Sequence, residues 1–271
     1  ARFPRKWAGS NGFKRSVSKL SANINLNVNF RTTADGYLDR LNPFGLESDD
    51  TNIIAMQDSK RYTLFYNRNG RGFAGDFTYQ TSENKQLLVQ GFEVRDRREW
   101  ISNGKVDLSS AYTFRLTTSI GRFLNESDFL DSRRFDLSIH SFKPQLIWQP
   151  TNVLRFIGSY ELKSKTNSFT ESSNESSVAQ VYSSELTWNQ AGKGSVRGVF
   201  SFVQIDFEGD PSSYLGYILL DALQPGTNQT WQINWQQKIS KGTQLSLLYN
   251  GRKSRGANAI HTGSVQVTAF F

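Results

Sequence analysis

Leu20-Ser21-Ala22-Asn23-Ile24-Asn25-Leu26-Asn27-Val28-Asn29-Phe30-Arg31 alternates without a break between apolar and polar residues. A pleated strand sends successive side chains to opposite faces. Leu20, Ala22, Ile24, Leu26, Val28 and Phe30 therefore share one face, and Ser21, Asn23, Asn25, Asn27, Asn29 and Arg31 share the other. On a helix the apolar residues would scatter around the whole circumference. Asparagine is a poor strand former, so a row of it suits a wet face. The run exceeds the ~5–6 residues of an ordinary soluble strand and can cross a bilayer at ~45° tilt.

The same period returns along the chain. It is read at Phe73, Gly75, Phe77 and Tyr79, and at Val106, Leu108, Tyr112, Phe114, Leu116 and Ile120. It is read again at Leu154, Phe156, Gly158, Tyr160 and Leu162, at Trp231, Ile233 and Trp235, and at Val265, Val267, Ala269 and Phe271. About twelve such segments lie near 16–33, 59–68, 71–82, 86–99, 105–122, 134–149, 153–166, 178–189, 195–207, 228–238, 243–253 and 259–271. Short turns rich in Gly, Asn and Pro fall at Arg68–Arg71, Ser102–Gly104, Gln149–Asn152, Asn189–Gly194 and Ile239–Gly242. Longer connections fall at 34–58, 123–133, 167–177 and 208–227. The alternation slips around Gly91, which predicts a bulge, and again between Ile139 and Leu146 near Pro144. This is the pattern of an all-β fold: a closed antiparallel transmembrane β-barrel of about 12 strands, with short periplasmic turns and long extracellular loops. Residues 1–13 lack the alternation and are expected in the periplasm; 14–271 form the barrel.

Composition agrees. The 271 residues are only 37% hydrophobic yet 13% aromatic, as in a barrel apolar outside and polar inside. No run nears the ~18 apolar residues of a membrane helix. Trp148, Trp188, Trp231, Trp235 and Tyr249 lie toward segment ends, where interfacial girdles form. Cysteine is absent, which removes disulfides and thiolate metal sites, and no cofactor or metal is expected. The formal charge of +8 comes from basic residues scattered among turns and polar strand positions. With no basic helix and no ribonucleoprotein motif, nucleic acid is not expected as a partner.

The last strand, Gly263 to Phe271, resembles the C-terminal insertion signal of bacterial outer-membrane proteins, through Val265, Val267, Ala269 and the terminal Phe271. That resemblance implies insertion by the barrel assembly machinery, in outer-membrane lipid and lipopolysaccharide. A longer stretch is also similar to the C-terminal barrel of large outer-membrane proteins of the Bacteroidota, a group with no assigned chemistry. It runs from Leu219 through Leu223-Gln224-Pro225-Gly226-Thr227-Asn228 and Trp231 to Tyr249, Gly251, Arg252, His261-Thr262-Gly263 and Phe271. It implies that the chain is the membrane end of a longer polypeptide.

Three kinds of barrel function compete. Outer-membrane phospholipases need a His and a Ser on one strand face with an orienting Asn. Here His140 and Ser138 share a face in the reverse order without such a partner, and His261 has no carboxylate cluster beside it. Catalysis is not expected. A channel is the second kind. The polar faces place Asn23, Asn25, Asn27, Asn29, Arg31, Arg61, Asp76, Asp107, Arg115, Asp136, His140, Arg155, Glu161, Lys163, Glu185 and Arg252 in the lumen. A closed ring of twelve strands has a backbone diameter of roughly 24 Å, leaving an opening of roughly 10 Å that opposite charges can close by pairing across it. If it stays wet, its basic excess favours anions. The third kind, a membrane anchor or subunit of a larger cell-envelope assembly with other outer-membrane or periplasmic subunits, fits a chain that needs no substrate.

Two loops carry apolar residues. Loop 34–58 holds Tyr37, Leu38, Leu41, Phe44 and Leu46, then Glu47, Asp49 and Asp50, which lack the ligand spacing of an EF-hand. Loop 210–228 holds Tyr214, Leu215, Tyr217, Ile218, Leu219, Leu220, Ala222 and Leu223. Leu215, Ile218, Leu219 and Ala222 fall on one helix face, with a start at Pro211-Ser212-Ser213 and a stop at Pro225-Gly226. The spacing predicts a short helix on the extracellular rim. It serves either as a plug folded over the barrel mouth or as a docking surface for another subunit.

Overall fold

A computed structural model describes residues 19–32, 53–68, 72–89, 91–169, 175–240 and 242–269. They form one antiparallel sheet of twelve strands in chain order. The strands are β1 (Leu20–Thr32), β2 (Ile53–Tyr66), β3 (Phe73–Leu88), β4 (Gly91–Asp107), β5 (Tyr112–Ser127) and β6 (Phe135–Trp148). They continue with β7 (Leu154–Asn167), β8 (Ser176–Gln190), β9 (Gly194–Glu208), β10 (Gly226–Ser240), β11 (Thr243–Ser254) and β12 (Ile260–Ala269). The fold is all-β, up and down, with β1 and β12 at the two ends of the order. The N-terminal segment 1–13, the apolar and acidic residues from Tyr37 to Asp50, and Phe271 lie outside the described residues.

The register explains one misread boundary. Ser102–Gly104 is not a turn: Asn103 and Gly104 lie within β4, and the chain reverses at 108–111. Val106 pairs with Phe114, so even-numbered residues hold one face on both sides of that turn. Alternation then runs straight through the reversal and hides it. At the β3–β4 turn the opposite happens. Leu87 pairs with Phe92, so the face-holding parity switches. The slip near Gly91 is therefore a tight turn, not a bulge, and Gly91 supplies it with a φ of 130°.

Among the described residues, one six-residue α-helix, α1 (Tyr214–Leu219), follows β9. Ser213 caps it, its Oγ accepting from the Gly216 N–H at 2.8 Å. Leu215 and Leu219 pack with Phe135 and Leu137, flanked by Phe123, Ile139 and Phe207. Leu220, just past the helix, packs with Val203 and Ile205, flanked by Ala179, Val181 and Leu223. These wall residues come from β5, β6, β8 and β9, and Lys165 of β7 also reaches the helix. The face that the sheet presents to α1 and to Leu220 is called the inner one.

Candidate functional site: the inner wall and its helix

Cross-strand partners share a face, so the register assigns every strand residue to a side. Asn23, Asn25, Asn27, Asn29 and Arg31 of β1 lie on the inner side, opposite residues such as Thr63 and Arg61 of β2. Asp76, Arg115, Arg155, Glu161 and Lys163 also lie there. Side-chain hydrogen bonds and ion pairs on this side run along the wall, within a strand or between neighbouring strands. Arg61 donates to Gln80 at 2.7 Å, and Gln80 donates to Glu99 at 2.8 Å, which Arg97 also reaches at 3.1 Å. Asn103 donates to Asp76 at 2.9 Å, Lys143 to Glu161 at 2.8 Å, and Arg197 to Glu185 at 2.8 Å. Adjacent strands lie ~4.8 Å apart, close enough for short side chains to meet, so carboxylates find partners without crossing the interior.

His140 and Asp136 lie on the outer side, contrary to what their polarity predicts. His140 pairs with Ile120, and Ile120 with Trp100, so His140 sits on the outer face. Asp136 is outer too, where Arg122 donates to it at 2.7 Å. The apparent slip between Ile139 and Leu146 has a physical cause other than a bulge. β6 keeps strict alternation from Phe135 to Trp148, but the polarity of its faces inverts along its length. Near the short-turn rim Leu146 and Trp148 point outward. Near the long-loop rim Phe135, Leu137 and Ile139 point inward to receive α1, leaving Asp136, Ser138 and His140 outside. The outer face marks where this inversion begins. Tyr62, Tyr79, Trp100, Ile120 and His140 form one cross-strand row. Tyr79 stacks on Trp100 at 4.1 Å. Beyond that row lie the outer ion pairs Lys60–Asp58 and Arg98–Asp96, at 2.7 and 2.8 Å.

The helix is fixed by one strand lysine. Lys165, its side chain only 5% exposed, donates to the carbonyls of Ile218 and Leu219 at 2.7 and 3.2 Å and to Asp221 at 2.6 Å. The last carbonyls of a helix have no internal partners, and a cation there also meets the negative end of the dipole. Ser177 donates to Leu219 O at 2.9 Å, and Lys163 reaches the other Asp221 oxygen at 2.9 Å. Burial pushes the Asp221 carboxyl up, but the hydrogen bonds from Lys165 and Lys163 outweigh it and hold it below its ordinary value. Asp221 and Ala222 adopt left-handed φ values of 51° and 63°, costing roughly 1–2 kcal/mol apiece. They end the helix several residues before the Pro225-Gly226 stop that the spacing suggests, and Ala222 is exposed instead of joining the apolar helix face. Leu215, Leu219 and Leu220 are buried, and Ile218 and Leu223 pack beside them. Tyr214 and Tyr217 stay 36% and 62% exposed.

The C-terminal residues gather on the outer face. Val265 and Val267 are 66% and 62% exposed, and Ala269 follows them on the same side. Gly251 stands opposite both Trp231 and His261, and the Trp231 indole fills the space a Cβ at 251 would take. Tyr249 Oη meets His261 Nδ1 at 2.8 Å. On the inner side, fully buried Asn228 donates to Gln224 O at 2.7 Å and accepts from Ser254 at 2.7 Å, closing the turn at Gly226. Among the described residues no group of three or more His, Asp or Glu side chains is placed to hold a metal.

The fold and wall together define a class: among the described residues, a single antiparallel up-and-down sheet of twelve strands with a helix seated on its inner face. No protein-family model and no curated protein matches the chain. Among solved structures, the translocator domain of the autotransporter NalP from Neisseria meningitidis is similar at 14% identity. The TM-score is 0.35, over 80% of this chain and 80% of that one. So slight a likeness carries no role to this chain.

Proposed function

We propose that the chain is an integral β-barrel of the bacterial outer membrane, closed by β12 on β1. It serves as a membrane anchor or subunit of a larger cell-envelope assembly and carries out no catalysis. The observation that carries this reading is α1, folded onto the inner wall and held by Lys165 at its C-terminal carbonyls. A helix so placed obstructs solute passage at the long-loop mouth. The outer belt of Phe114, Phe156, Leu186 and Phe200 supports the membrane setting, since an exposed apolar surface of that breadth needs lipid to cover it. Lipid and lipopolysaccharide are its surroundings, and the barrel assembly machinery inserts it through Val265, Val267, Ala269 and Phe271. Tyr214 and Tyr217 remain available to another outer-membrane or periplasmic subunit. The alternative is a narrow channel weakly preferring anions, favoured by the inner-face cations Arg61, Arg97, Arg115, Lys143, Arg155 and Arg197.

Planar-bilayer conductance of the purified chain tests this. Silence from the native chain, with current appearing when Ser213–Leu223 is deleted, is the expected result. Steady anion-preferring current from the native chain would replace the anchor reading with the channel. Loss of co-purifying proteins on the same deletion, without any current, would make the loop a docking surface.

A further inference from the structure

Beneath the plug lies a cavity of ≈150 Å³. One side is apolar, formed by Ala179, Val181, Val203, Ile205 and Leu223; the other is lined by Lys163, Lys165 and Asp221. The two lysine ammoniums grip a single carboxylate, one on each oxygen of Asp221, at 2.9 and 2.6 Å. Asp221 and the next residue, Ala222, both hold left-handed φ values, a conformation that side chains with a Cβ rarely adopt. Glu161, the other carboxylate lining the cavity, is already held by Lys143 and Ser141 at 2.8 and 2.9 Å. We propose that the Lys163–Lys165 pair is a carboxylate-binding seat, and that the adjoining cavity fits it for a short-chain organic acid, with Asp221 as its tethered occupant.

The seat has the two parts such a ligand needs. Two lysines supply charge-assisted hydrogen bonds to both oxygens of a carboxylate. The apolar wall takes an aliphatic tail of a few carbons, which the cavity volume limits. A free acid and Asp221 cannot occupy the seat together. Binding therefore competes with the plug's anchorage, and each weakens the other by the same factor. This inference rests on the local geometry of the seat and holds whether or not the lumen conducts.

Calorimetric titration of the full chain in amphipol with hexanoate, with hexanol and acetate as controls, tests it. Asp221→Asn removes the tethered competitor while keeping a residue that tolerates the left-handed turn. It should tighten hexanoate binding ~10-fold or more, because a tethered group competes at millimolar effective concentration. Adding Lys163→Ala and Lys165→Ala should abolish that binding. Val203→Phe in the Asp221→Asn background fills the cavity but leaves the lysines. It should weaken hexanoate about 15-fold and spare acetate, as loss of ~2 buried methylenes would. Hexanoate affinity unchanged by Asp221→Asn, surviving loss of both lysines, or matched by hexanol would overturn the seat. Equal loss of acetate and hexanoate in the Val203→Phe variant would overturn the assignment of the tail to the cavity.

Discussion

The two ends of β5–β9 obey opposite rules. Toward the short-turn rim, Phe114, Leu146, Trp148, Phe156 and Leu186 face outward, while Arg115, Lys143, Arg155 and Glu185 face inward. Toward the long-loop rim, Phe135, Leu137, Val203 and Ile205 face inward and Asp136, Ser138 and Asp206 face outward. The backbone alternates identically through both ends. On the proposed membrane setting, what changes is the medium on each side. A wall bathed by lipid outside and water inside wants one polarity; a wall with water outside and an apolar helix inside wants the reverse. The aromatic row through Tyr62, Tyr79 and Trp100 marks the boundary between them.

Arginine at mid-belt should break the comparison most strongly. Leu116→Arg should cost ~2–4 kcal/mol, read as a shift in the urea midpoint for unfolding from liposomes. Arginine at inner-face Asn25 should cost under ~1 kcal/mol, since that side is polar. Equal losses at the two positions would refute the face assignment. Next in size is Leu219→Ala, which empties a buried contact and should cost ~2–3 kcal/mol at the low end of large-to-small core changes. Its signature is local. Amide exchange should speed up over α1 and leave the short-turn half of the strands unchanged; a uniform acceleration would mean that the helix is part of one cooperative unit with the wall.

Gly251→Ala should cost ~1–3 kcal/mol by pushing the Trp231 indole off the strand, as overpacking does. Tryptophan fluorescence should shift with it, and an unshifted spectrum would show that the indole does not lie over Gly251. The smallest effect is acid-dependent. The Asp221 carboxyl is held below its ordinary value by Lys165 and Lys163 against the pull of burial. Its contribution is therefore complete above the unfolded value and is lost as pH falls through the lower folded one. Exchange protection of α1 should hold at neutral pH and fall under acid conditions below the usual carboxylate range. Asp221→Asn should remove that acid step. If the native chain and the variant lose protection together, some other carboxylate anchors the helix.

Much of the molecule is written in its periodicity. The alternation of Leu20 to Arg31 assigns both faces of β1, and its recurrence sets the strand number, because side-chain direction in a strand depends only on position. The same logic could have reached Lys165, two residues beyond Lys163 on the same face. It failed where position alone is silent. The turn at 108–111 joins strands whose partners keep one parity, so no break appears between Val106 and Phe114. Polarity misplaces His140, because the inner side of that part of β6 carries Phe135, Leu137 and Ile139. That α1 sits on the inner wall, and that Asp221 meets Lys163 and Lys165, was decided by tertiary structure. Those partners are separated by 58 and 56 residues, and only the packing of α1 and its C-terminal turn on the strands brings them together. A strand's sequence states which residues share a side, but what lies on that side is fixed by which distant segments fold against it.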